Sequence, residues 1–219
     1  MRTKKVVFTG VTPLIMHRGN ITFQDLLKSW QKNPVNKNES VKGDDRTPAW
    51  AWIGSCYHDG QVLGIPSDNL MAVLRGGGTL VSTGKGSKSY KKQSQSGLIV
   101  MEPFWPLTTA EGKKVPWAAI EALKQEKDFE KHCIEAKKLG AELFVKRVSL
   151  NTSKPIRVRP LFEAGWKIEG TISITDDSIT DAAFSDILLM AGNLCGLGDW
   201  RPGAPKSPGP YGRFDVQIS

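Results

Sequence analysis

Two arrangements of apolar positions recur along this chain: short runs of β-branched and aromatic residues, and stripes at helical spacing. Val6, Val7 and Phe8 lie between Lys5 and Thr9 and stop at Gly10, which predicts a first strand over 5–9. Further on, Leu70, Met71, Val73 and Leu74 form a stripe that predicts a helix over 67–75. Ser67, Asp68 and Asn69 are placed to cap it, and Gly76 to Gly78 to end it. Gly97 to Met101 reads as a second strand, and Trp166 to Ile174 alternates apolar and polar residues as a half-buried strand does. Ile179, Ala183, Ile187, Met190, Ala191 and Leu194 fall on one helical face, with Asp177 or Ser178 as cap. Phe214, Val216 and Ile218 share one face of a final strand over 211–218.

The segments between these elements are longer and more polar. Phe23, Leu26, Leu27 and Trp30 predict a short helix, followed by a turn-rich loop from Asn33 to Asp45. Trp50 to Tyr57 and Gln61 to Ile65 read as two strands around the turn at His58, Asp59 and Gly60. Pro116 suits the first turn of a helix that runs, with or without a break, to Leu139 and Gly140. Phe144 to Val148 and Ile156 to Val158 read as strands flanking Asn151 to Lys154. Thr79 to Gln95 is basic, serine-rich and nearly free of apolar residues, so a solvated loop, or one that orders on a polyanion, is expected there.

With those segments set aside, the order is strand, helix, strand, strand, helix, strand. This predicts an α+β fold of ferredoxin-like (RRM-like) type, whose sheet is a common platform for single-stranded nucleic acid. One domain over 1–219 is expected, with insertions near 20–62, 79–96 and 103–160.

Charge narrows the class of partner. Thirty Lys and Arg against 22 Asp and Glu give a net charge of +8, which favours a polyanion. Cys56, Cys133 and Cys195 are odd in number and far apart, which argues for a reducing compartment and against a disulfide framework or zinc knuckle. The apolar run near the N-terminus is too short and too polar for a signal peptide or a membrane span, so a cytoplasmic protein without membrane contact is expected. His58 and His132 lack third and fourth ligands nearby, and no metal or other cofactor is expected.

The strongest candidate chemistry lies between the last helix and the last strand. Gly196, Gly198, Gly203, Gly209 and Gly212 allow positive φ and close approach of a ligand, while Arg201 and Arg213 add charge and Trp200 and Tyr211 add flat faces. Backbone amides in such turns can form a nest for phosphates, with arginine adding charge-assisted hydrogen bonds.

Gly64 to Arg75 resembles the helix entry I-P-G-S-S-L-K-G-x-L-R of the repeat-associated mysterious proteins, the RAMP superfamily. The C-terminal loop is similar to that superfamily's glycine-rich loop. Thr12 to Gly19 and Ile156 to Pro160 also resemble pieces of the backbone subunit that coats guide RNA in Cascade-type CRISPR effector complexes. The chain departs from the pattern at Ser67, Asp68 and Asn69, where Gly-Ser-Ser is common, at Met71, where a lysine often stands, and at Ala72, where a glycine is common.

The resemblance implies that Arg75, Gly196, Gly198, Trp200, Arg201, Gly212 and Arg213 lie near a nucleic-acid backbone. It implies that the segment carrying Lys85, Lys88, Lys91 and Lys92 reaches across bases or a neighbouring subunit. His17, Arg18, Arg157 and Arg159, within the other matching pieces, join the candidate RNA-binding set. The function it implies is antiviral defense: a sequence-independent, RNA-binding subunit assembling in multiple copies, head to tail, into a filament along guide RNA with other effector subunits. Such contacts are indifferent to sequence.

Blander readings compete at each position. Trp200 can cap the core, Arg75 can interact with the carbonyl end of its own helix, and His17 is a surface or hydrogen-bonded histidine rather than an acid–base group. Trp50, Trp52, Trp105, Trp117 and Trp166 suit packing, and Trp30 is the freest for an interface. Asp25, Asp44 and Asp45 lie where some superfamily members place a cutting aspartate, but no motif selects one, and the balance is against an enzyme. Three alternatives stay open: a virus-encoded single-stranded DNA-binding or annealing protein, a metal-dependent endoribonuclease, and a subunit mimic that joins or blocks a CRISPR complex.

Overall fold

The computed structural model of the chain describes residues 1–148 and 154–219. Its strands are β1 (Arg2–Gly10), β2 (Leu14–Ile15), β3 (Gly64–Pro66), β4 (Leu98–Val100), β5 (Phe104–Pro106), β6 (Glu142–Arg147), β7 (Ile156–Phe162), β8 (Lys167–Ile174) and β9 (Phe214–Ile218). Its α-helices are α1 (Ile21–Lys32), α2 (Ser67–Leu80), α3 (Lys91–Gly97), α4 (Trp117–Ala122), α5 (Phe129–Lys138) and α6 (Asp181–Met190). The fold is α+β with antiparallel sheets. Among the described residues no helix is long and apolar enough to cross a membrane. The segment Asn151 to Lys154 between two expected strands lies, apart from Lys154, outside the described residues.

The chain divides into two compact units. The first comprises Met1–Leu14, Gly64–Lys114 and Glu163–Ser219. Its main sheet has the order β4-β8-β1-β9, with every neighbouring pair antiparallel. Alternation along β1 places Val6 and Phe8 in the core, and Phe8 stacks on Phe214 of β9 with ring centroids 4.4 Å apart. Trp105 meets Phe8 edge-on, and burying rings of this size contributes about 1.5–3 kcal/mol each. Trp105 and Trp166 are fully buried because each indole N–H has an acceptor, Glu102 Oε2 at 3.0 Å and the Thr12 carbonyl at 2.9 Å respectively.

Helix α2 outruns its expected end at the three glycines and continues to Leu80. Gly77 shows why: a Cβ there would stand 2.2 Å from the Ile187 carbonyl oxygen, so its bare backbone lets α2 lie directly against α6. The cap of α2 also differs from expectation, since the N-cap position is Pro66 and no side chain bonds there. On α6 the cap is Thr180, whose hydroxyl accepts from the Ala183 N–H, while Asp176 accepts from Ser178 in the preceding turn. A π turn over Ala191–Cys195 follows α6 and shifts the helical phase, which leaves Leu194 exposed although the periodicity placed it on the buried face. The segment from Thr79 to Gln95 is built rather than loose. Val81 and Ser94 are buried, Ser82 bridges Ser89, and α3 packs on α2.

The second unit comprises Ile15–Leu63 and Val115–Phe162, so parts of two long insertions share a core of their own. β6 and β7 form an antiparallel pair with Val145 opposite Val158, and the Met16 N–H donates to the Pro160 carbonyl at 3.0 Å. The strand expected over 50–57 is instead a 3₁₀ turn at Ala51–Ser55, which buries Trp52 and Ile53 together, as an alternating strand would not. Trp52 Nε1 donates to His132 Nδ1 at 3.1 Å, and His132 Nε2 lies 3.0 Å from the Glu126 carbonyl. That fully buried imidazole is therefore satisfied at both nitrogens as the Nε2–H tautomer. Trp117 stacks on His58, and Trp50 is half-buried against Phe23 and Trp30.

Candidate nucleic-acid interface

The glycine-rich loop of the first unit closes on itself. Gly196, Gly198 and Gly212 have φ of 67°, 78° and 71°, and Trp200 also lies in the left-handed region at 46°. The amides of Gly196, Leu197, Gly203, Gly209, Tyr211 and Gly212 donate to the carbonyls of Ala191, Gly212, Cys195, Arg201, Trp200 and Pro13. These amides are thus committed to backbone carbonyls, five of them between Ala191 and Gly212 and one at Pro13, and are not available as a phosphate nest. Gly212 is a steric requirement as well, since a Cβ there would meet the Leu197 carbonyl oxygen at 1.8 Å. Arg201 Nη1 donates to the Gly198 carbonyl at 2.9 Å, and Arg213 Nη1 donates to the Asn193 carbonyl. Gly196 and Gly212 are buried, while Trp200, Arg201, Tyr211 and Arg213 are half-buried. Burial pushes the Cys195 thiol pKa up, with the nearby Arg201 charge opposing it.

Arg75 is exposed on α2, and its Nε donates back to the Met71 carbonyl at 3.3 Å. Lys85, Lys88, Lys91 and Lys92, by contrast, converge on an open cleft of about 770 Å³ that Tyr90 and Gln93 also line. No acidic side chain lines it, and none of the four lysines joins an ion pair among the described residues. Seven other lysines do, including Lys4, Lys28, Lys113 and Lys124. Cationic chains without partners around one aromatic ring suit a polyanion that carries flat groups.

In the second unit the structure brings His17, Arg18, Arg157 and Arg159 together. Arg157 and Arg159 stand at i and i+2 on β7, and a shared carboxylate joins them: Asp45 accepts from Arg157 Nη1 at 2.8 Å and from Arg159 Nη1 at 2.9 Å. Arg159 Nη2 lies 3.3 Å from His17 Nε2, and the Arg18 N–H donates to the Ser55 carbonyl at 3.0 Å. Spacing along the chain hid Asp45's role, because more than a hundred residues separate it from β7. The other candidate aspartates are also charge partners. Asp44 lies 2.6 Å from Arg46, whose hydrogen bond holds the carboxyl below its usual range, and Asp25 pairs with Lys28 at 3.4 Å. Among the described residues no three His, Cys, Asp or Glu side chains converge as metal ligands would.

The class that fold and site define is an α+β protein with a lysine-lined cleft on its first unit. No protein-family model and no curated protein matches the chain.

Proposed function

We propose that this chain binds single-stranded nucleic acid without regard to sequence, as a RAMP-type backbone subunit arrayed in multiple copies along guide RNA in a CRISPR-type effector complex. The carrying observation is the cleft in which Lys85, Lys88, Lys91 and Lys92 surround Tyr90 with no acid among the lining residues. Lysines of this kind neutralise phosphates, and a tyrosine face offers a stacking surface to any base.

A ferredoxin-like core for the first unit is supported by the strand order β4-β8-β1-β9 with α2 and α6 as its two helices. Counting only those strands, the order is second, third, first, fourth, all antiparallel. A strand-helix-strand-strand-helix-strand chain produces this order when each helix crosses over the sheet.

Fluorescence polarisation against labelled RNA and single-stranded DNA of arbitrary sequence, each at two salt concentrations, tests the reading. Binding that weakens with salt, and is lost when all four lysines become glutamine, is the expected result. No binding at low salt, or binding indifferent to the four substitutions, rejects it. Sensitivity of copurifying nucleic acid to ribonuclease or deoxyribonuclease decides between RNA and DNA.

A further inference from the structure

A second, smaller cavity lies within the second unit, about 150 Å³ in volume, lined by His17, Arg18, Asn20, Asp45, Arg157 and Arg159. Its charge is unbalanced. Three guanidinium groups face one carboxylate, and Asp45 already accepts from both Arg157 and Arg159. Arg18 Nη1 and Arg159 Nε are cut off from solvent yet have no hydrogen-bond partner among the described residues. A buried donor without an acceptor costs about 1–3 kcal/mol, and the cost is higher for charged groups. Helix α1 also begins beside the cavity at Asn20, so its positive end adds to the same field.

We infer that this cavity is a site for a phosphoryl dianion, the terminal group of a phosphate monoester. The excess of about two positive charges matches the charge of roughly −1.5 to −2 on a monoester at neutral pH, and exceeds the single charge of an internal phosphodiester. Arg18 and Arg159 both border the cavity, and a turn of either side chain would present its unpartnered N–H to a phosphoryl oxygen, in the charge-assisted geometry guanidinium groups favour. The volume equals that of about five waters at about 30 Å³ each, and lies well below the roughly 300–1,000 Å³ of pockets that enclose drug-sized ligands. A phosphoryl group fits inside, with any sugar and base left outside. The ligand is a free phosphate or mononucleotide, or the phosphorylated end of a strand. The inference goes beyond the lysine cleft and does not depend on it.

Isothermal titration and thermal melting with inorganic phosphate, against chloride at matched ionic strength, test the site in the unaltered protein. Saturable heat and a rise in melting temperature with phosphate alone are expected. Arg18→Gln and Arg159→Gln should each weaken phosphate affinity about tenfold or more, the worth of one charge-assisted hydrogen bond. Arg18→Gln leaves the Asp45 pairs intact, so it reports even where Arg159→Gln fails to fold. Competition by a 5′-phosphorylated oligonucleotide over its 5′-hydroxyl twin identifies a strand end as the ligand, and competition by phosphate and mononucleotides alone identifies a small molecule. A phosphate response equal to that of chloride, or one unchanged in Arg18→Gln, overturns the inference. The variant lacking the four cleft lysines should keep the phosphate response, so the two proposals fail separately.

Discussion

Arg201 Nη1 donates to the carbonyl oxygen of Gly198 at 2.9 Å, three residues back in the same loop. This contact makes the arginine a clamp on a turn that already depends on positive φ at Gly196 and Gly198. Replacing Arg201 by alanine should lower unfolding free energy by about 1 to 2 kcal/mol in urea titration, the worth of a charge-assisted hydrogen bond at a half-buried site. An unchanged midpoint would show that the clamp adds nothing.

Two glycines with nearly equal φ should respond unequally to alanine. Gly84 has φ of 73° with open space around its would-be Cβ, so Gly84→Ala costs only the left-handed penalty of about 1–2 kcal/mol. Gly212, at 71°, would place its Cβ 1.8 Å from a backbone oxygen, so Gly212→Ala adds a clash the loop cannot relieve. Its expected cost is more than about 4 kcal/mol, or loss of soluble protein. Similar melting temperatures for the two variants would contradict this account.

Glu102 Oε2 accepts from the Thr171 N–H at 2.8 Å and from the Trp105 indole at 3.0 Å. Burial works to raise its pKa, but these hydrogen bonds outweigh burial and hold the carboxyl below its ordinary value. A depressed folded-state pKa stabilises above the unfolded value of about 4.3, and the contribution is lost as pH falls through the folded one. The stability gap between the native chain and Glu102→Gln should therefore be present at pH 7 and close below about pH 4. A gap of constant size from pH 7 to pH 3 would assign the effect to packing instead.

Buried His132 depends on Trp52 for the partner of its Nδ1. Trp52→Phe keeps an aromatic ring but leaves that nitrogen unsatisfied, at about 1–3 kcal/mol by chemical denaturation, plus the smaller ring's cavity. A variant as stable as the parent would mean that water or a rearranged side chain replaces the indole.

Salt dependence reports how many lysines of the cleft meet phosphate. For single strands the slope of log affinity against log salt is about −0.7 per neutralised phosphate, so four contacts give roughly −3. Each Lys→Gln substitution among positions 85, 88, 91 and 92 should make it shallower by about 0.7, as read from polarisation titrations. A slope that ignores all four places the phosphates elsewhere.

Much of this was legible residue by residue. The alternation of Trp166 to Ile174 and the stripe from Ile179 to Met190 reappear as β8 and α6, because a half-buried strand and an amphipathic helix write their periods directly into the sequence. The run from Trp50 to Tyr57 misled because its apolar residues are contiguous, and contiguity is compatible with a 3₁₀ turn buried on several sides. The lysines of the cleft were visible as a basic run, but their lack of counter-charges was not. Ion pairing depends on what folding brings near.

Local pattern alone determined the α+β class, the four strands of the first unit's main sheet and the residues rich in charge and glycine, since all of these express short-range propensity and period, whereas β5 went unread. Tertiary packing decided that Gly77 extends a helix rather than ending it, that the glycine loop's amides close on themselves, and that Asp45 meets Arg157 and Arg159 across 112 and 114 residues. Those outcomes depend on which backbone and which charge arrive from elsewhere in the chain, and steric exclusion and Coulomb attraction act on distance in space, not on separation in sequence.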